Sequence, residues 1–211
     1  MWKLIRCVAL LSLVATLNNC GRSNNLANDF NGSEDRSWPD GAQIEIYLHS
    51  SVPQAMQEAL IRAIDKQNSV LKKTFIYLNG QSKASGFDHD PTNFNFDDIL
   101  HDDLNALYFT SGSLPSAEGA ESPDAVTQTW FTDGEIGGGD IIFKTDKIKS
   151  ESQAEVVMLH ELGHLIGLEH DEEHSENIMH PLVNTTMLKG PFTPDYCREL
   201  SKRYETKDCP E

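Results

Sequence analysis

The stretch HELGHLIGLEH, from His160 to His170, decides the fold of this chain. His160 and His164 are four residues apart, so on a helix they share one face and lie about one turn apart. His170 is ten residues beyond His160, and a continuing helix would carry it roughly 15 Å along the axis. The three imidazoles meet only if the chain turns back. Gly167 is suited to that turn, because glycine readily adopts the left-handed backbone conformation that ends many helices.

Three imidazoles at this spacing predict a catalytic zinc site. Zinc binds imidazole nitrogen at about 2.0–2.1 Å, and a site with three protein ligands keeps a fourth position open for water. We therefore expect His160, His164 and His170 to bind one zinc ion. Glu161 is adjacent to the first ligand and is expected to act as general base toward metal-activated water. Two alternatives are a histidine-rich helix that binds no metal and one that binds zinc without catalysis.

With these residues placed, the sequence resembles the metzincin metallopeptidases, in which the signature HExxHxxGxxH is followed by a methionine turn. The turn candidate here is SENIMHP, and the resemblance implies that Met179 forms a hydrophobic floor beneath the zinc without being a ligand. The short gap from His170 to Met179 and the Met-x-Pro form are most similar to the matrixin branch, especially its bacterial members. WFTDGEIGGGDIIF, Trp130 to Phe143, also resembles the strand-turn-strand that precedes the zinc helix in those proteins. Asp171, after the third histidine, is instead typical of the adamalysin branch.

Hydrophobic periodicity around this motif predicts an α+β domain. The predicted strands are Ala42–Ser50, Lys73–Gly80, Ala106–Gly112, Ala125–Gly134 and Asp140–Asp146, and the predicted helices are 52–73, 150–168 and 194–204. We interpret the glycine-rich EIGGG as the connection between the last two strands. The resemblance implies a zincin or metzincin-like domain: one twisted, mostly parallel five-stranded sheet, an active-site helix and a C-terminal helix. It also implies an edge strand, near Ala125 to Phe131, that lines the cleft and binds an extended peptide by β-addition.

The N-terminus predicts export. Two basic residues precede an apolar run, Cys7 to Leu17, that is too short to span a membrane comfortably. Residues 1–19 are therefore predicted to be a signal peptide. The stretch that closes on Cys20 resembles a bacterial lipobox, which implies lipidation of Cys20 and a place at the outer membrane or cell surface. An ordinary signal peptide, which would leave the protein secreted, and an uncleaved anchor are the alternatives.

Composition separates a tether from a domain. Residues 20–37 are rich in Asn, Ser, Gly and Asp and predict a polar tether, whereas residues 38–211 are predicted to be the metallopeptidase domain. Within that domain, Cys197 and Cys209 are expected to form one disulfide in an exported chain, although two free thiols are the alternative.

Charge excludes some partners. The 17 Lys and Arg residues against 33 Asp and Glu residues give a formal net charge of −16, which argues against binding nucleic acid or anionic lipid through charge. We expect a monomer that touches the membrane only through its lipid anchor. The acidic segment between residues 81 and 103 is a candidate calcium site, but it lacks EF-hand spacing, and a solvated acidic surface is the alternative.

The sequence as a whole predicts a zinc-dependent endopeptidase that hydrolyses peptide bonds of extracytoplasmic proteins. The substrate would be a protein or peptide. One alternative is a surface lipoprotein with a metzincin-like fold that acts in binding or adhesion without catalysis. Another is a peptidase restricted to peptidoglycan cross-links or small peptides.

Overall fold

Six strands and three α-helices form the part of the chain that the computed structural model describes, namely residues 20–21, 36–81, 104–114 and 123–209. The strands are β1 (Cys20–Gly21), β2 (Gln43–Leu48), β3 (Phe75–Gln81), β4 (Ala106–Thr110), β5 (Ala125–Thr132) and β6 (Glu135–Lys144). The helices are α1 (Gln54–Val70), α2 (Glu151–Leu165) and α3 (Pro194–Ser201), with a 3-10 helix at Thr185–Lys189. The predicted signal peptide, most of the predicted tether and nearly all of the acidic candidate calcium segment lie outside the described residues.

The strands form one sheet in the order β1-β5-β6-β4-β2-β3. All neighbouring pairs are parallel except β5 and β6, which are antiparallel. The predicted mostly parallel sheet of five strands is therefore confirmed, with the two-residue β1 added at the edge of β5. Every residue of β4 is buried, as expected for a central parallel strand with both faces covered.

The glycine-rich segment EIGGG is not a connection, and that prediction was wrong. Strand β6 begins at Glu135 and runs through the glycines, while the tight turn lies at Asp133 and Gly134, which have φ values of 52° and 87°. The indole of Trp130 covers the glycines from the neighbouring strand. A Cβ atom at Gly138 would lie 1.8 Å from the Trp130 ring. Because these glycines have no side chains, the Trp130 ring can lie directly against the backbone of β6.

Helix α2 is the central helix of the fold. Its N-cap is Ser150, as predicted, and the Ser150 side chain accepts a hydrogen bond from the backbone N–H of Gln153. From Ala154 to Leu165 every residue is buried, which is typical of a helix enclosed by other elements on all sides. No helix among the described residues has both the length and the apolar character needed to cross a membrane.

A buried carboxylate, Glu155, joins α2 to α1. The Arg62 Nε atom donates to Glu155 Oε2 at 2.8 Å, and the Lys66 ammonium contacts the other carboxylate oxygen. Burial by itself raises the pKa of Glu155, but the hydrogen bonds from Lys66 and Arg62 outweigh it and hold that pKa below its ordinary value. The carboxylate therefore stabilises the fold above the unfolded-state pKa, and this contribution is lost as the pH falls through the lower folded-state pKa.

We expect Glu155→Gln to lower the free energy of unfolding at pH 7 by about 1–2 kcal/mol, because two cations lose their buried partner while remaining partly solvated. Urea unfolding at pH 7 and at pH 3 measures this effect, and the difference from wild type should shrink at pH 3. Glu151→Gln is the control, since Glu151 contacts the same Arg62 with a side chain that is 54% exposed, and it should change little. A loss of equal size at both pH values would contradict the ionic origin of the effect.

The C-terminal segment returns to the end of α1. Lys207 N donates to Val70 O at 3.0 Å, and a disulfide joins Cys197 of α3 to Cys209. The pairing expected from the sequence is thus present in the structure. The last helix is shorter than predicted and ends at Ser201.

Candidate active site

His160, His164 and His170 meet at one point. Their Nε2 atoms lie 3.0 Å apart for His160 and His164, and each lies 3.2 Å from the Nε2 atom of His170. Tetrahedral zinc with nitrogen ligands at about 2.0–2.1 Å requires nitrogen atoms about 3.3 Å apart, so the three atoms fit one such ion. Among the residues that the structure describes, this is the one group of three or more His, Cys, Asp or Glu residues arranged to hold a metal.

Backbone carbonyls orient two of the rings. The His160 Nδ1 atom lies 2.7 Å from the Ile178 carbonyl oxygen, and the His164 Nδ1 atom lies 2.8 Å from the Leu168 carbonyl oxygen. A carbonyl accepts only from a protonated nitrogen, so each Nδ1 carries the proton and each Nε2 presents a lone pair. Burial, together with repulsion from His164 and His170, holds the pKa of His160 well below its ordinary value. The ring therefore stays neutral, the form that binds metal.

Gly167 reverses the chain. Its φ is 87°, in the left-handed region that favours glycine. Leu168 N donates to the Gly163 carbonyl at 2.9 Å, and Gly167 N donates to the His164 carbonyl at 2.9 Å. These two bonds form a Schellman motif, which ends the helix after Leu165. The same turn brings the Leu168 carbonyl within hydrogen-bond distance of the His164 ring. The turn that ends the helix therefore also orients His164.

The two ends of the domain support this reversal. The Trp38 Nε1 atom donates to the Leu165 carbonyl at 2.8 Å, and the Tyr204 hydroxyl donates to the Ile166 carbonyl at 3.0 Å. These bonds satisfy carbonyls that the end of α2 leaves without helical partners. The backbone of Arg36 passes so close that a Cβ atom at Gly167 would lie 2.2 Å from the Arg36 carbonyl oxygen. Gly167 is thus required by both conformation and space.

Met179 packs directly against the active-site helix. A Cβ atom at Gly163 would lie 2.2 Å from the Met179 Sδ atom, and Met179 is buried. The missing side chain at Gly163 thus permits the close packing of Met179 against the helix. The Ile178 carbonyl that orients His160 belongs to the same turn. The loop after the helix therefore contacts α2 through Met179 and orients His160 through Ile178.

Asp171 ties the third ligand to this turn. Its carboxylate accepts hydrogen bonds from Asn177 Nδ2 at 2.7 Å and from His174 Nδ1 at 2.9 Å. Its backbone N–H donates to the Met179 carbonyl, and Met179 N donates to Asn177 Oδ1, both at 3.0 Å. Burial raises the pKa of Asp171, yet the hydrogen bonds from His174 and Asn177 outweigh it and lower that pKa, which favours the ionised carboxylate. The sequence alone indicated only that Asp171 is typical of the adamalysin branch, and it did not predict these hydrogen bonds.

Glu161 is fully buried beside the histidine cluster. Its Oε2 atom lies 2.6 Å from the hydroxyl of Thr127 on β5. Sequence reasoning identified Glu161 but missed Thr127, because the register of a strand against a helix is not encoded in local sequence. The structure thus brings together the three predicted ligands, the predicted base and one further polar group.

Three solved structures resemble the chain at low sequence identity. Myroilysin aligns at 14% identity over 74% of this chain and 52% of its own, with a TM-score of 0.40. The archaemetzincin of Methanopyrus kandleri aligns at 13% identity over 76% of this chain and 93% of its own, with a TM-score of 0.49. The archaemetzincin of Archaeoglobus fulgidus, crystallised with malonate, aligns at 15% identity over 74% and 99%, with a TM-score of 0.45. This chain thus spans about half the length of myroilysin.

No curated protein matches the chain by sequence comparison. A family model does match. The Matrixin model covers residues 40–195, which is well over half of the chain and includes the histidine cluster, Glu161 and the methionine turn. The chain belongs to the matrixin family of metallopeptidases.

Proposed function

We propose that this chain is a zinc-dependent endopeptidase that hydrolyses peptide bonds of proteins outside the cytoplasmic membrane. The observation that carries the proposal is the convergence of three imidazole nitrogens next to a buried carboxylate. A zinc ion held by His160, His164 and His170 would polarise the carbonyl under attack and lower the pKa of water. Membership of the matrixin family supports the same chemistry.

Glu161 is the general base in this proposal. Its carboxylate takes a proton from the attacking water as the oxygen–carbon bond forms, and it returns that proton to the amide nitrogen as the carbon–nitrogen bond breaks. Glu161 follows the first ligand on α2, so the helix that fixes the histidines also fixes the base. Met179 packs against Gly163 of α2, and this contact holds the helix and the turn together.

Strand β5 is the proposed binding edge for an extended substrate. It pairs with β6 along one side, and its first two residues, Ala125 and Val126, pair with Cys20 and Gly21 along the other. That short pairing was not expected from the sequence. It supports the proposal that the outer edge of β5 accepts an extended segment through its backbone. A peptide added after Val126 would pass Thr127, the residue in contact with Glu161.

The proposed location outside the cytoplasmic membrane rests on the N-terminal sequence. The basic residues, the short apolar run and the lipobox-like stretch ending at Cys20 support export with a lipid anchor at that cysteine. The acidic composition argues against recognition of the substrate through a basic surface.

We expect the mature protein, residues 20–211, to cleave casein and members of a quenched peptide library, and to lose this activity in the presence of a zinc chelator. Added zinc should restore the rate, whereas added magnesium should not, because the nitrogen ligands suit zinc and magnesium prefers oxygen. Bound zinc and an intact fold without hydrolysis of either substrate would contradict the proposal and favour the binding or adhesion role.

A further inference from the structure

The side-chain hydroxyl of Thr127 on β5 contacts two oxygen atoms of Glu161 on α2. The Thr127 Oγ1 atom lies 2.6 Å from Glu161 Oε2 and 3.1 Å from the Glu161 carbonyl oxygen, and both residues are fully buried. A threonine hydroxyl has a single proton to donate. The carboxylate oxygen Oε2 is the closer of the two acceptors, at 2.6 Å against 3.1 Å. The hydroxyl therefore donates to Oε2.

The scaffold holds this hydroxyl firmly. Thr127 pairs with Ile141 inside the antiparallel ladder of β5 and β6, so its backbone cannot slide. Threonine is branched at Cβ, which restricts its first side-chain torsion. The Glu161 backbone is equally fixed, since it lies inside α2. The contact joins two rigid elements and leaves the carboxylate with little rotational freedom.

We propose that Thr127 is a positioning residue for the catalytic base. By holding Oε2, it orients the Glu161 carboxylate so that the other oxygen, Oε1, faces the attacking water and takes its proton. The inference rests on the proposed peptidase function. It assigns to β5, the proposed substrate-binding strand, a role beyond binding substrate through its backbone.

The test compares Thr127→Val, which keeps the shape and removes the hydroxyl, with Thr127→Ser, which keeps the hydroxyl. We expect Thr127→Val to lower kcat by about 10- to 100-fold, since small misplacements of catalytic groups have effects of that order. KM and the zinc content should stay close to wild type. Thr127→Ser should recover most of kcat. If Thr127→Val does not fold, Thr127→Ala serves the same comparison.

A buried threonine away from the site provides the matched control. Thr110 on β4 is buried and its hydroxyl accepts a hydrogen bond from Gly112 N at 2.9 Å. Thr110→Val should lower the melting temperature without changing kcat. An unchanged kcat in Thr127→Val, or a Thr127→Ser variant as slow as Thr127→Val, would overturn the proposal.

A second readout does not depend on activity. In the metal-free protein, Thr127→Val should lower the melting temperature when Glu161 is present and have a smaller effect, or none, in the Glu161→Ala background, because the two groups are coupled. Additive shifts in melting temperature would overturn the assigned contact. If the wild-type protein shows no peptidase activity, the proposed function fails, and this thermal cycle still decides whether Thr127 holds Glu161.

Discussion

Glu161→Ala is expected to retain zinc and to lose peptide hydrolysis by about 10³-fold, the order contributed by a positioned general base. In the proposed site the three histidines hold the metal, so removing a carboxylate that is not a ligand should leave the stoichiometry unchanged. The measurements are zinc content by metal analysis and kcat/KM on a quenched peptide. Glu161→Gln, which keeps the size of the side chain, should behave in the same way.

The control for this variant is Glu151→Ala, which removes an exposed carboxylate from the first turn of the same helix. Its activity should match that of wild type. Hydrolysis retained in Glu161→Ala would show that another group accepts the proton. Loss of zinc in that variant would instead show that Glu161 is a ligand, and the proposed mechanism would fail.

Gly167→Ala is expected to weaken zinc binding by about 100-fold or more, which corresponds to roughly 3 kcal/mol. An alanine at φ 87° costs about 1–2 kcal/mol, because Cβ approaches the following carbonyl. Its Cβ would also lie 2.2 Å from the Arg36 carbonyl oxygen, which is backbone and cannot rotate away. The turn must then shift, and it carries both the Leu168 carbonyl that orients His164 and the third ligand. Competition with a fluorescent chelator measures the zinc affinity.

Gly134 is a matched control for this substitution. It has the same φ of 87°, and a Cβ atom there would meet nothing within 4 Å. Gly134→Ala should therefore cost stability through its backbone conformation and leave zinc affinity unchanged. If Gly167→Ala binds zinc as tightly as wild type does, the reversal is not what positions His170.

The meeting of the three histidines and the reversal at Gly167 could be predicted from the sequence because both depend on local spacing. A helix places His160 and His164 on one face, and Gly167 was the residue suited to the turn. The disulfide between Cys197 and Cys209 followed similarly from counting cysteines in a chain predicted to be exported. These inferences needed no knowledge of how distant segments pack.

The features that the sequence did not reveal depend on contacts between distant segments. The glycines after Glu135 looked like a connection between strands. They belong to β6 instead, and the reason is the Trp130 ring, which packs against their backbone. Thr127 alternates with its neighbours like any strand residue, and its contact with Glu161 depends on how β5 crosses α2. In the sequence, Trp38 marked only the start of the domain. In the structure, its indole N–H donates a hydrogen bond to the Leu165 carbonyl in the last turn of α2.

Zinc K-edge X-ray absorption on the zinc-loaded mature protein tests the central claim most directly. The account predicts three imidazole nitrogens at about 2.0–2.1 Å and one oxygen from solvent, with one imidazole fewer in His170→Ala. A fourth protein side chain bound to the metal, or a wild-type spectrum with only two imidazoles, would contradict it.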